Sequence, residues 1–470
     1  PPKGQELDDH YFGTIRTRVS SFMQDLDHQL WRLGILSKTK HNEAAPCQHE
    51  LAPVYADANT ACDDNQKMMA IMKKCAAKHN LVCLLHEKPF AGVNGSGKHD
   101  NWSLSTDTGS NLFSPGKTPR QNARFLVFLA AFIAGVDEYQ DFLRCTVATA
   151  GNDHRLGASE APPAIVSIYL GDELNAVVQS IIDGTNYTDP EKSVLRIGVD
   201  VLPMIPKDTT DRNRTSPLAF TGNKFEFRML GSSQSVSGPN IALNTIVAEE
   251  LGRFADVLEK ADNFDATLQT LVCKALTEHS RIIFSGNGYS EEWKREAAQR
   301  GLSNLPSTAE AMPTYVSDKN VDLVTRHGVF TETEFRARYR IHLDAYNKVV
   351  AIEAKTMIDM ALHQILPAAL GYTKELCDGI AVKKPLGLPC KAETSLADSL
   401  STGCDGLYEA VEALKQSLSQ VPEAAEEAAL HYRRVVQPRM EAVRTQADHL
   451  ETLTDKRHWP FPTYSDLLFY

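Results

Sequence analysis

The pattern of apolar residues changes character near residue 245, and that change limits the folds open to the chain more than any other feature. Before it, short runs in which apolar and charged residues alternate are separated by polar, Gly-rich and Pro-rich loops. After it, Ala, Leu, Glu, Lys, Gln and Arg dominate, and apolar residues return every three or four positions. Alternation puts successive side chains on opposite faces of a strand, whereas the longer period builds one face of a helix. The pattern predicts an α+β region, 1–250, followed by a helical region, 251–470.

Within the first region, Val19, Phe22, Met23, Leu26, Leu30 and Leu33 repeat at helical spacing and Gly34 follows, which predicts a helix over 17–33 closed by a glycine. Asp63-x-x-Gln66 is expected to open a second helix, with Met68, Met72, Cys75 and Ala76 on its packed face. Strands are expected at 81–88, 102–105, 194–202 and 224–229. On the last of these, Lys224, Glu226 and Arg228 share one face and Phe225 and Phe227 the other. The twelve-residue apolar run 125–136 falls short of the ~20 residues that cross a bilayer as a helix, and reads as a buried helix. Further on, Phe335, Tyr339, Leu343, Tyr346, Val350 and Met357 mark one helix, and Leu407, Val411, Leu414 and Leu418 another. A third covers 430–453 and is interrupted by Pro438, and 370–404, rich in Gly, Pro and Ser, is the expected linker.

A chain of 470 residues can bury sizeable cores, and 49 Lys plus Arg against 60 Asp plus Glu leave a net charge of −11. That balance argues against a surface that coats nucleic acid, while leaving room for a local positive pocket. The nine cysteines are scattered without a CxxC pair and are expected as free thiols in a reducing compartment. No apolar signal core opens the chain, and a cytoplasmic protein that binds no membrane is expected. It begins Pro1-Pro2-Lys3-Gly4 without an initiator Met, which leaves a fragment, a processed product or part of a longer sequence as open readings.

Four clusters can carry chemistry. In the segment from His41 to Pro53, Glu43 and Glu50 are placed to meet across a hairpin and offer hard oxygen ligands to Mg²⁺ or Mn²⁺; ordinary surface carboxylates have the same spacing. In the second, a strand runs into Asn94-Gly95-Ser96-Gly97, where glycine lets backbone N–H groups approach an anion, and His99 follows as a metal ligand or a structural histidine. Neither a Walker loop nor a dinucleotide fingerprint is present. The third holds Arg155, able to grip a carboxylate or phosphate, and Glu160, able to accept a proton; a surface ion pair is the equally simple reading. The fourth joins Arg212 and Arg214 to the alternating run Lys224, Glu226, Arg228. Carboxylates, an imidazole and clustered cations suit phosphoryl transfer from a nucleotide to an acidic acceptor.

The strings NEAAPCQHELAP at 42–53, HEKPFAGVNGSGKHDNWSL at 86–104, NDHRLGASEAPPA at 152–164 and DRNRTSPLAFTGNKFEFR at 211–228 resemble, in order, those of glutamine synthetase of the large type III form. The closing 459–470 resembles that type's C-terminal region. The resemblance implies a curved antiparallel sheet with flanking helices and a helical extension. It also implies ATP-dependent ligation of ammonia to L-glutamate through γ-glutamyl phosphate, with Mg²⁺ or Mn²⁺ as cofactor. By the same resemblance Glu43 and Glu50 hold the metal nearer glutamate, and His99 with Glu226 the metal nearer the ATP phosphates. Asn94 and Gly95 recognise the amino acid, while Arg155 and Arg228 grip its carboxylate and the phosphorylated intermediate. Glu160 sits on a flap that binds ammonium and takes its proton, Arg214 acts on the nucleotide phosphates, and Ser103 and Lys224 lie near the nucleotide.

Self-association into hexameric rings, stacked as a dodecamer, is implied as well. The alternatives are a γ-glutamyl ligase using another amine, and a catalytically incomplete regulatory or structural homologue. This chain departs from the bacterial type I pattern at Ala219, where that type has a second arginine, and at Asn101, where it has a histidine. A further pair of metal carboxylates and a latch aspartate, which the family supplies upstream, have no match before Glu43; Asp8 and Asp9 are not substitutes for them.

Overall fold

A computed structural model describes residues 5–90, 92–157, 161–185, 194–195, 205–206, 216–462 and 466. The chain divides into two compact units, 7–336 and 337–470, the latter taken with the first six residues.

In the first unit, α1 (Thr17–Trp31) leads into the hairpin β1 (Ser37–Asn42) and β2 (His49–Pro53), followed by α2 (Ala58–Lys78). After a loop come β3 (Gly97–Trp102), α3 (Ala123–Glu138), α4 (Gln140–Cys145), α5 (Ala150–Asp153), β4 (Ile168–Tyr169) and α6 (Asp172–Ile182). The short strands β5 (Val194–Leu195) and β6 (Ile205–Pro206) pair with each other, and β7 (Leu218–Phe220) and β8 (Phe225–Gly231) complete the sheet. Helices α7 (Ser237–Leu258), α8 (Phe264–Glu278), α9 (Glu291–Gln299), α10 (Thr308–Tyr315) and α11 (Asp318–Arg326) close the unit. The main sheet has the order β3-β8-β7-β4, antiparallel except where β7 and β4 run parallel.

The apolar run 125–136 forms α3, and its rings hold the sheet from below. Phe132 stacks on Phe225 with centroids 3.7 Å apart, and Trp102 and Phe113 pack edge-on or tilted around them. Burying each such ring is worth about 1.5–3 kcal/mol, so this cluster fixes which face of β8 is inward. Phe225 and Phe227 are fully buried, as their alternation requires, and Arg228 on the other face is buried too. Gly135, inside the apolar run, permits close approach of α7: a Cβ there would press on the Ile246 carbonyl.

Several expectations are corrected. The second helix starts at Ala58, where the Asp57 side chain accepts from the Thr60 N–H, one and a half turns before the predicted Asp63 start. Residues 81–88 form no ladder: Leu85 O accepts from the Ser232 hydroxyl and Glu87 O from the Ser96 N–H, while Val82 and Leu84 are exposed. Strand-like residues make a strand only where a partner supplies hydrogen bonds, and none pairs with this segment among the described residues. The strand expected at 102–105 lies earlier, at Gly97–Trp102, because Trp102 is held in register with Phe225. Of 194–202 only Val194 and Leu195 are described, and they are paired; the rest lies outside the described residues.

The second unit contains α12 (Glu332–Met360), of which residues up to 336 belong to the first, then α13 (Leu366–Lys383), α14 (Lys391–Ser419), α15 (Ala425–His431) and α16 (Gln437–Leu453). Tyr339, Leu343, Tyr346 and Val350 of α12 and Leu407, Val411 and Leu414 of α14 are buried at the predicted spacing. α14 and α16 run antiparallel, with Gly403 against Leu450 and Gly406 against Gln446. The expected linker 370–404 is mostly helix, leaving only a short connection between α13 and α14. Gly371 and Gly379 are tolerated inside α13 because helix propensity is a weak preference that packing overrides. Pro438 does not end its helix: wide π turns at 361–365 and 432–436 precede Pro367 and Pro438 and absorb the missing N–H of each. Cys75, Cys145 and Cys404 are buried thiols, and among the described residues no helix is long and apolar enough to cross a membrane.

Candidate active site

The β1–β2 hairpin brings Glu43 and Glu50 together. Antiparallel pairing sets His41 opposite Glu50 and Asn42 opposite His49, and the turn is closed by the Glu43 N–H donating to Gln48 O at 2.9 Å. His41 Nε2 then lies 2.8 Å from Glu43 Oε1 and 3.3 Å from Glu50 Oε2, with one ligand atom from each residue within 4.8 Å of the others. Two carboxylates and an imidazole, all partly open to solvent, suit a hard divalent cation. His41 is the member that spacing did not single out. The available signal was period two, which puts residues 41 and 43 on one face of a strand.

Behind this cluster the hairpin is pinned. Asn42 Nδ2 donates to the carbonyls of His10 and Gly13, both at 3.0 Å, and His10 Nδ1 lies 2.7 Å from Glu43 O. His49 Nδ1 lies 3.0 Å from Asn42 Oδ1, and burial, with His10 adding to it, pushes the His49 imidazole down to about 4.

Gln48, at the hairpin tip, donates through Nε2 to Gly95 O at 2.7 Å, tying the carboxylates to the Asn94-Gly95 loop. That loop folds back so closely that a Cβ on Gly95 would overlap the Glu87 carbonyl oxygen, and Asn94 is buried. The chain then enters β3, where an irregularity between Lys98 and Asp100 sets His99 Nδ1 2.9 Å from Glu226 Oε1 on β8. Ala219, at the departure from the type I pattern, is the cross-strand partner of Glu226.

Arg155 follows α5 and lies along β8. Its Nη1 donates to Leu230 O at 3.2 Å and its Nη2 to Arg228 O at 3.1 Å, in a space left by Gly97. Arg228 Nη2 donates to Ser216 O at 3.3 Å. Burial, reinforced by the neighbouring Arg228, pushes the Arg155 guanidinium down to about 10, and it stays charged. Ser103 and Lys224 meet at the β7–β8 turn: Ser103 Oγ donates to Asn223 O at 2.9 Å, and Lys224 Nζ to Thr221 Oγ1 at 3.3 Å. Glu160 and Arg214 lie outside the described residues.

Sequence reasoning missed Glu87. Its carboxylate is buried, accepts from Ser233 Oγ at 2.8 Å, and occupies space that a Cβ on either Gly151 or Gly231 would take. It attracts both Arg155 and Lys98, so these two cations share a buried acidic neighbour. Nothing local marks it, because the two glycines that make room are far away in the chain.

Two family models match: the glutamine synthetase catalytic domain over residues 3–168 and the glutamine synthetase C-terminal domain over 267–384. A type-3 glutamine synthetase of Dictyostelium discoideum is 46% identical over 100% of this chain and 65% of its own length. A glutamine synthetase of Butyrivibrio fibrisolvens is 46% identical over 99% of this chain and 67% of its own. The chain thus spans about two thirds of the length of these relatives. A solved Plasmodium falciparum glutamine synthetase is 15% identical over 62% of this chain and 60% of that one, with a TM-score of 0.37.

Proposed function

The chain belongs to the glutamine synthetase family, and on that footing we propose that it ligates ammonia to L-glutamate at the expense of ATP, giving L-glutamine, ADP and phosphate. The glutamate γ-carboxylate attacks the terminal phosphorus of ATP and the bond to ADP breaks. Ammonia then attacks the resulting γ-glutamyl phosphate, loses a proton and displaces phosphate.

In this reading Glu43 and Glu50, joined by His41, hold Mg²⁺ or Mn²⁺ near glutamate, and His99 with Glu226 hold a second ion near the ATP phosphates. Such ions neutralise phosphate oxygens as charge moves between them. Asn94 and Gly95 bind the amino acid, and Arg155 and Arg228 supply positive charge beside it. Ser103 and Lys224 flank the nucleotide. Glu160 takes the ammonium proton and shields the acyl phosphate from water, and Arg214 contacts nucleotide phosphate. We place the protein in the cytoplasm, assembled as hexameric rings paired into a dodecamer, which native mass measurement tests.

The observation that carries the reading is the bond from Gln48 to Gly95, which couples the carboxylate hairpin to the loop to which this reading gives amino-acid recognition. Its test is substrate dependence: release of ADP and phosphate from ATP must require both glutamate and ammonium. Equal rates without ammonium overturn it.

A further inference from the structure

A second set of ligand-type side chains meets away from the hairpin, between α1 and α2. Cys75 lies in the last turn of α2 and His79, four residues on, caps its C-terminal end. Asp25 of α1 reaches between them, its Oδ2 3.3 Å from Cys75 Sγ and 3.2 Å from His79 Nε2. All three ligand atoms fall within 4.8 Å of one another.

With Zn–N and Zn–O bonds of about 2.0–2.1 Å and Zn–S of about 2.3 Å, a tetrahedral ion needs N···O separations of about 3.3 Å and S···O separations of about 3.5 Å. The two pairs that share Asp25 Oδ2 are already close to those separations, and the thiol and imidazole lie within 4.8 Å of each other. The donor set also decides which ion. Thiolate with imidazole and carboxylate selects zinc over the hard cations suited to the hairpin.

The surroundings are those of a built site. Cys75 is fully buried in a cluster with Leu26, Leu30, Ile35 and Met68, whereas His79 and Asp25 reach solvent. Gln29 Nε2 donates to Asp25 Oδ1 at 3.1 Å, orienting the carboxylate from outside. Arg18 donates to the carbonyls of His79 and Asn80 and fixes the end of α2.

We propose that Asp25, Cys75 and His79 form a zinc site, separate from the hairpin carboxylates, that fastens α1 to α2. Binding replaces the thiol proton by a zinc–sulfur bond and releases one proton to solvent.

The probes are Co²⁺ alone and Zn²⁺ alone, added to the chelator-stripped full chain. Cobalt is expected to give a thiolate-to-metal charge-transfer band and the intense visible bands of a four-coordinate ion, one per chain, abolished by one equivalent of zinc. Cys75→Ser and His79→Ala should weaken zinc binding about 100-fold or more, beyond what outer partners contribute, whereas Glu43→Gln and Glu50→Gln should leave the thiolate band intact. Absence of a thiolate band in the unmodified chain overturns the proposal without relying on any variant. Persistence of the band in Cys75→Ser, or its loss in Glu43→Gln, also overturns it.

Discussion

Replacing Asp153 with Asn tests what holds the loop that carries Arg155. Asp153 ends α5, and its carboxylate accepts from the Thr308 N–H at 2.8 Å and from Thr308 Oγ1 at 2.9 Å. Arg144 Nη2 lies 3.7 Å away, and the two side chains are 1% and 4% exposed. Removing one member of a buried ion pair costs about 3–5 kcal/mol, because the remaining charge stays out of water without compensation. Weakening the Thr308 bonds adds about 1 kcal/mol. For a unit of roughly 330 residues unfolding with about 2.1 cal/mol/K per residue, a loss near 4–5 kcal/mol lowers Tm by about 6 °C. Differential scanning calorimetry reads this directly. In an Arg144→Met background the same substitution should cost only about 1 kcal/mol, since no buried charge is left to strand. A single-variant shift below about 1 °C, or an equal cost in both backgrounds, refutes the reasoning.

Other outcomes follow from the same geometry. Glu50→Gln removes one of the two carboxylates beside His41, and divalent-ion affinity, read by calorimetric titration, should fall by about two orders of magnitude. Gly95→Ala drives a Cβ into the Glu87 carbonyl and should cost about 1–3 kcal/mol by thermal unfolding, together with a raised KM for glutamate. His279 lies 2.7 Å from the buried Asp137 carboxylate, and that hydrogen bond raises the imidazole above its usual value near 6.5 despite partial burial. Its contribution is fully present below about pH 6.5 and is lost as pH rises through the raised folded value. The Tm gap between the unmodified chain and His279→Gln should therefore narrow as pH rises from 6 to about 9.

Elements with strong internal periodicity were legible in the sequence. The helix over 17–33, the buried run 125–136 and the two-faced strand 224–229 are all present, as Thr17–Trp31, Ala123–Glu138 and Phe225–Gly231. The pairing of Glu43 with Glu50 was legible too, because seven residues around a tight turn return a chain to its own face. What needed coordinates were contacts whose cause lies elsewhere in the chain. Residues 81–88 have strand composition but no ladder partner among the described residues, and composition cannot report a partner. Glu87 is lodged by Gly151 and Gly231, neither of which is near it in sequence. The Asp25, Cys75 and His79 cluster joins two amphipathic helices and the cap of the second, where Cys75 reads as packing in the sequence and also faces a carboxylate in the structure.

The central claim is that a metal-bearing carboxylate hairpin and a glycine loop together activate glutamate toward ammonia. It is tested most directly by following ADP and phosphate release from ATP with Mg²⁺ and glutamate, with and without ammonium. The assay should use the chain itself and any longer polypeptide that carries it. Release that depends on glutamate and rises at least tenfold with ammonium, forming one glutamine per ADP, is the predicted result. ATP turnover indifferent to ammonium, or glutamine absent while ADP accumulates, would contradict it.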